Sequence, residues 1–122
     1  MIINLTQHTA TDDQLAGGVF EPTDKLAAQT LLTFEELPTR EDILLRAEAL
    51  AELAASDRKR CDVRAALVGG APFIMAPLEA ALKRKGILPL YSFTRRESTE
   101  VPDGQGGVRK TQVFRHVGFV GL

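Results

Sequence analysis

One cysteine, Cys61, stands among 122 residues, and there is no tryptophan. A lone thiol closes no disulfide within the chain and builds no thiolate metal cluster. The two histidines, His8 and His116, lie near opposite ends and form no local ligand pair. The sequence therefore predicts neither a metal nor a cofactor. Apolar runs are short, and none approaches the roughly 20 residues a membrane-spanning helix needs. The opening MIINLTQH lacks the basic n-region and cleavage pattern of an export signal. Together these absences predict a cytoplasmic chain without membrane attachment. Repeats and low-complexity segments are missing too. A hydrophobic fraction of 44% with 25% charged residues is ordinary globular composition. The length predicts a single domain over residues 1–122.

Neither sign of charge is in excess overall, with 15 Lys/Arg against 16 Asp/Glu, but the net charge of -1 hides a division. Residues 1–57 carry eleven Asp/Glu and three Lys/Arg, giving -8, whereas residues 58–122 carry twelve Lys/Arg and five Asp/Glu, giving +7. Either the C-terminal half faces an anion, or the two halves attract one another across a fold or a dimer. A general binder of duplex nucleic acid would be more basic overall, so duplexes are not among the expected partners.

The elements can be read in order. Residues 1–5 form a short apolar run bounded by Thr6, a first strand. Thr11, followed by Asp12 and Asp13, caps a short helix with negative charge in its first turn, and Gly17-Gly18 ends it. Residues 19–21 make a second short strand, after which Pro22 and Thr23 open a helical segment. Thr33-Phe34-Glu35-Glu36 has capping-box spacing, and Pro38-Thr39 breaks and restarts the pattern. From Arg40, the residues Ile43, Leu44, Ala47, Leu50, Ala51 and Leu53 or Ala54 recur at helical spacing opposite Arg46, Glu48 and Glu52. That is an amphipathic helix lying on a sheet.

Residues 56–62 are a polar loop, and residues 65–68 a strand ending at Gly69-Gly70. Pro72 and Pro77 cannot both occupy one ideal first turn, so the next helix should start irregularly or near Ala76. Basic Lys83, Arg84 and Lys85 precede its terminal Gly86. Residues 87–94 and 108–120 are the last strands, and the turn-rich segment 101–108 closes a long antiparallel hairpin. The fold class is α/β: a small Rossmann-like domain, its mostly parallel sheet packed with helices and finished by a C-terminal antiparallel hairpin.

In an open α/β sheet a ligand binds beyond the carboxyl ends of the parallel strands. Three stretches should converge there: Thr6, Gln7, His8, Thr9 and Thr11; Gly69 and Gly70; and Ser92, Thr94, Arg95, Arg96 and Glu97. Hydroxyls, an amide, an imidazole, backbone N–H groups and guanidinium suit a phosphate-bearing ligand. Each also has a purely structural use. Gly69-Gly70 matches neither the dinucleotide fingerprint nor a P-loop, and a tight strand-to-helix turn accounts for it. His8 can serve as a helix cap. His116 shares its side of the last strand with Phe114, Gly118 and Val120 and reads as a half-buried structural residue. Arg115, on the other side with Val113, Val117 and Phe119, can pair with Glu97 or Glu100 across the hairpin. Arg95 and Arg96 point to opposite faces, so one at most reaches a common site. Acid–base chemistry on Glu97 or Asp103 lacks a paired carboxylate.

The opening INLTQHTAT looks like that of a family of small proteins from bacterial genomes and prophages. More distantly, the layout resembles the small CRISPR-associated ancillary proteins with a CARF-type Rossmann-like fold. Those have a first strand ending in histidine and threonine, a glycine turn before a helix, and a G-I-x-P-x-Y-x-x-x-x-R strand. Here that strand is Gly86-Ile87-Leu88-Pro89-Leu90-Tyr91-Ser92-Phe93-Thr94-Arg95-Arg96, and a closing hairpin is mirrored by Val113-Phe114-Arg115-His116-Val117-Gly118-Phe119. The resemblance implies recognition of cyclic oligoadenylates or related nucleotide second messengers of anti-phage defence, commonly by a homodimer or higher homo-oligomer. In some relatives it implies ring-nuclease cleavage, a metal-independent transesterification in which a 2'-OH attacks the adjacent phosphate. On that reading His8 and Arg96 take catalytic parts. Thr6, Gln7, Thr9, Thr11, Gly69, Gly70, Ser92, Thr94 and Arg95 hold the ligand. Two alternatives stand beside it: a non-enzymatic sponge for the signal, and a protein-interaction or oligomerisation module of phage origin. The last is favoured if Phe73, Met75 and Tyr91 fill the recess.

Overall fold

The computed structural model describes residues 1–121. In chain order the elements are β1 (Ile2–Leu5), α1 (Asp12–Ala16), β2 (Val19–Phe20), α2 (Lys25–Leu32), α3 (Arg40–Ser56), a 3-10 turn (Asp57–Lys59), β3 (Ala65–Val68), α4 (Pro72–Arg84), β4 (Leu88–Pro102) and β5 (Val108–Gly121). The strands form one sheet in the order β2-β1-β3-β4-β5. All neighbours are parallel except β4 and β5, which run antiparallel. The expected α/β architecture is therefore the one the chain adopts.

Local chemistry explains most boundaries. Thr11 and Gln14 form a reciprocal capping box at the start of α1. Asp24 caps α2 by accepting from the Ala27 amide, two residues beyond the Pro22 expected to open it. The capping-box spacing at Thr33 starts no helix; Thr33 is extended and ends α2, and Thr39 caps α3 instead. At α4, of the two starts expected, the later one near Ala76 is not adopted. Pro72 sits in the first turn, where no amide donor is needed, and Pro77 is carried inside the helix.

The two sheet faces are dressed unequally. On one, Ile3, Leu5, Ala66 and Val68 interdigitate with Ala28, Leu32, Leu50, Ala54, Ile74, Leu78 and Leu82 from α2, α3 and α4. On the other, Leu67, Val19 and Ala10 pack with Ile2 and Phe119 beside the short α1. Every residue of β3 is buried, which is why that strand reads as an unbroken apolar run. Part of the charge division is used inside the fold, since Arg84 at the end of α4 and Lys85 just beyond it pair with Glu48 and Glu52 of α3. Among the described residues no helix is long and apolar enough to cross a membrane.

The hairpin departs most from the sequence reading. β4 continues eight residues past Thr94 to Pro102. It pairs with β3 only through Leu88, Pro89 and Leu90. Beyond them its partner is β5 alone, with pairing carried out to Pro102 and Val108. Asp103 closes the tip by accepting from the amides of Gln105 and Gly107. The result is a two-stranded arm, and the twelve residues Tyr91–Pro102 at ~3.3 Å each give it roughly 40 Å of reach.

Candidate functional site

The loop after β1 is held by a buried polar centre. Asn4, with no exposed surface, accepts from the Thr6 amide and hydroxyl. Its side-chain amide donates to the His8 carbonyl at 2.8 Å and to Glu21 Oε1 at 2.9 Å. The same Glu21 oxygen accepts from the Ala10 amide at 2.8 Å. Oε2 has no aligned hydrogen bond and relies on the Lys25 ammonium 3.1 Å away. Lys25 in turn donates to the carbonyls of Thr6 and His8. Burial pushes the Glu21 carboxyl up, but the Ala10 amide, Asn4 and Lys25 outweigh it and hold the group below its ordinary range. Residues 6–10 are thus shaped by side chains of three elements rather than by their own turn propensity.

The sheet order places β2 on one side of β1 and β3 on the other, so connections diverge between β1 and β3. Such a switch point is where doubly wound sheets open a ligand crevice. A recess of about 520 Å³ lies there, lined by Thr6, Gln7, His8, Thr9, Thr11, Gln14, Leu67, Val68, Gly69, Gly70, Tyr91 and Ser92. Eight of the sequence-derived site residues come together in it. Thr94, Arg95 and Arg96 do not; they lie farther out on the arm and are exposed. Phe73 and Met75 do not fill it either. The Phe73 ring packs edge-on against Phe34 at 4.8 Å, and Met75 packs on the helix-side core.

No Lys, Arg, Asp or Glu lines the recess. Several of its polar groups are already engaged. Gln7 donates to the Leu32 carbonyl and the Thr33 hydroxyl, tying down the end of α2. The Thr11 hydroxyl caps α1. The side chains of His8 and Thr9 make no hydrogen bond among the described residues, and His8 is exposed. Gly70 holds φ at +145°, a backbone conformation reserved for glycine, and delivers the chain into α4. The positive end of that 13-residue helix adjoins the recess. Tyr91 donates to Glu79 at 2.9 Å, and burial, reinforced by Glu79, pushes its phenol up to about 12. It stays protonated and forms part of the recess lining.

One pair escaped the sequence reading. Ser92 Oγ lies 2.9 Å from His116 Nδ1. A β-bulge at Phe93 and Thr94 leaves Val117 unpaired and shifts the phase of β5, setting His116 opposite Thr94. Phe119 consequently shares the side of His116, with ring centroids 4.8 Å apart, and not the side of Arg115. The signal available in sequence was the tip: centring the hairpin on residues 103–107 puts position 116 opposite 94. Arg115 does pair with Glu97, at 3.0 Å. Arg95 sits directly opposite Arg115 with no ion-pair partner among the described residues, and the Arg96 guanidinium stacks 5.4 Å from the Phe114 ring centroid.

Among the described residues no cluster of three His, Cys, Asp or Glu side chains is placed to hold a metal ion. The site offers hydroxyls, the His8 imidazole, a helix N-terminus and an aromatic residue, the means to seat an anion and a planar group, while His116 stands outside the lining and touches it through Ser92. No curated protein and no solved structure matches the chain. A family model does match, over residues 1–120, and the chain belongs to the family described as the Uncharacterized protein MJ1673 family.

Proposed function

We propose that the recess binds a cyclic oligoadenylate or a related nucleotide second messenger. The observation that carries this reading is the convergence of the β1 loop, the Gly69-Gly70 turn and the base of the β4 arm on one recess at the switch point. Its volume lies within the roughly 300–1,000 Å³ usual for small-molecule sites. Phosphate oxygens are met by hydroxyls, by His8 and by the α4 dipole, while Tyr91 supplies an apolar ring against which a base can lie. The absence of carboxylates from the lining spares an anion any direct repulsion. Calorimetry against a panel of cyclic oligonucleotides should show micromolar or tighter binding, about -8 kcal/mol or better. No heat from any member of the panel overturns the proposal.

A second reading, cleavage of the signal, is favoured by the Ser92–His116 pair. An imidazole hydrogen-bonded to a hydroxyl at the recess wall can accept the proton of an attacking 2'-OH, directly or through Ser92. The 2'-oxygen then bonds to phosphorus and the P–O5' bond breaks. The departing 5'-oxygen takes up a proton, leaving a 2',3'-cyclic phosphate and a 5'-hydroxyl. Chromatography of the recovered nucleotide decides between this and sequestration, since only cleavage returns linear products.

A further inference from the structure

Among the charges that make no ion pair among the described residues, two groups stand out, the cations of the arm, offset in part by Glu100 opposite Lys110, and the carboxylates at the junction of α2 and α3. The basic residues of the body are largely used: Arg58 bonds the Lys85 carbonyl, Arg60 pairs with Asp57, Arg64 with Asp62, and Arg84 and Lys85 with α3. By contrast Arg95, Arg96, Arg109 and Lys110, all on the arm, make no ion pair among the described residues and are exposed. The arm also displays Phe114, 67% exposed, with Arg96 stacked on its ring. An exposed aromatic beside an arginine is the composition of an interface hot spot.

A complementary surface lies at the junction of α2 and α3. A groove of about 690 Å³ there is lined by Leu26, Leu37, Glu35, Glu36 and Asp42 among others. Leu26 is 73% and Leu37 97% exposed, and neither Glu35 nor Glu36 has an ion-pair partner among the described residues. Arg46 also lines the groove and pairs with Asp42 at 3.1 Å, so the carboxylates left for a partner are those of Glu35 and Glu36, set beside apolar surface as the arm's free guanidinium groups are set beside Phe114. Within one chain its own arm leaves by the opposite edge of the sheet, where β4 and β5 are the last strands, whereas α2 follows β2 at the far edge.

We propose that the occupant of this groove is the hairpin arm of a second copy, each arm seated in the other's α2–α3 groove about a two-fold axis. The arm's roughly 40 Å of reach exceeds the ~24 Å spanned by five strands, so it can cross a facing molecule from edge to edge. Reciprocal seating closes the pair and leaves no free arm or groove from which a filament could grow. Like-charge crowding at Arg95 and Arg115 is relieved by the carboxylates it meets.

The test is sedimentation equilibrium on the full chain, with circular dichroism verifying the fold of every variant. The wild-type protein should be a dimer at micromolar concentration and weaken as salt rises. Reversing the arm (Arg95→Glu with Arg96→Glu) or the groove (Glu35→Lys with Glu36→Lys) should each weaken self-association at least about tenfold. An equimolar mixture of the two reversed proteins, or one chain carrying all four changes, should regain it. Phe114→Ala should weaken it without altering the salt dependence. A monomeric wild type, or reversed variants that dimerise as well as wild type, overturns the proposal. So does a failure of the four-fold variant to recover.

Discussion

Asn4 and Glu21, seventeen positions apart, meet through a 2.9 Å hydrogen bond that links the first strand to the residues after the second. Their contact is the pivot of the recess loop, because each also holds a backbone group of that loop, His8 through Asn4 and Ala10 through Glu21. Glu21→Gln keeps the shape and removes the charge, and should cost about 1–3 kcal/mol at neutral pH. The sign of its pH dependence follows from the lowered carboxyl. A group depressed in the folded state stabilises above its unfolded value, here 4.5, and that contribution is lost as pH falls through the folded value. The stability gap between wild type and Glu21→Gln, measured by urea unfolding, should be full at pH 7 and shrink below about 4.5. A gap that stays constant into acid would show that the charge is not what Asn4 and Lys25 recognise.

Tyr91 is the sole tyrosine and there is no tryptophan, so its ionisation can be followed without overlap in the ultraviolet. The native phenol should titrate near 12 and the urea-unfolded chain near 10. Because the folded value is raised, the neutral hydroxyl stabilises fully below the unfolded value, and the contribution is lost as pH rises toward 12. Glu79→Gln should lower the native midpoint only partly, since burial is the larger cause. A native midpoint at 10 would mean that Tyr91 is not buried against Glu79 in solution.

The fold was legible wherever burial and local caps speak together, and obscure where pairing is supplied from elsewhere. Ala65, Ala66, Leu67 and Val68 announce a buried strand, and Thr11 announces a helix start, because each signal lies within a few residues. The stretch from Arg95 to Pro102 has no alternation of apolar residues to read; its strand state comes from pairing with β5, fourteen to twenty residues away over its first half. That is why the arginines, expected beside the glycine turn, stand out on the arm. The Asn4–Glu21–Lys25 centre was equally hidden, since nothing at Asn4 reveals that a glutamate seventeen residues later will approach it. His116 was assigned by strict alternation, which a single bulge is enough to overturn.

Gly69 and Gly70 separate ligand contact from backbone need. Gly70 has φ +145°, so Gly70→Ala is strained whatever the space around it and should cost on the order of 1–3 kcal/mol. Gly69 carries no such constraint, and an added Cβ would meet the Thr6 methyl at 3.6 Å, an ordinary contact. Gly69→Ala should leave stability unchanged or raised by up to about 1 kcal/mol while placing a methyl on the recess wall. Binding of the cyclic nucleotide should then weaken in Gly69→Ala, a folded protein. Undiminished binding in that variant would place the ligand elsewhere.

Ser92 and His116 offer the sharpest division between a protein that cleaves and one that only holds its ligand. General acid–base catalysis contributes about 10²–10⁴-fold, so His116→Ala should lower single-turnover cleavage of a cyclic oligoadenylate by at least ~100-fold. Ser92→Ala should act in the same direction, because it removes the hydroxyl that fixes Nδ1. Affinity measured by calorimetry should change by less than about threefold in His116→Ala, whose imidazole lies outside the lining, a loss in turnover with ground-state binding preserved. His8→Ala, at an exposed imidazole on the opposite wall, should show the reverse pattern, weaker binding with turnover of the bound ligand retained. A substrate with 2'-deoxyribose throughout should bind and persist intact. If His116→Ala cleaves as fast as wild type, the pair is an anchor between the two hairpin strands. The proton would then have to pass to His8, the other histidine in the chain.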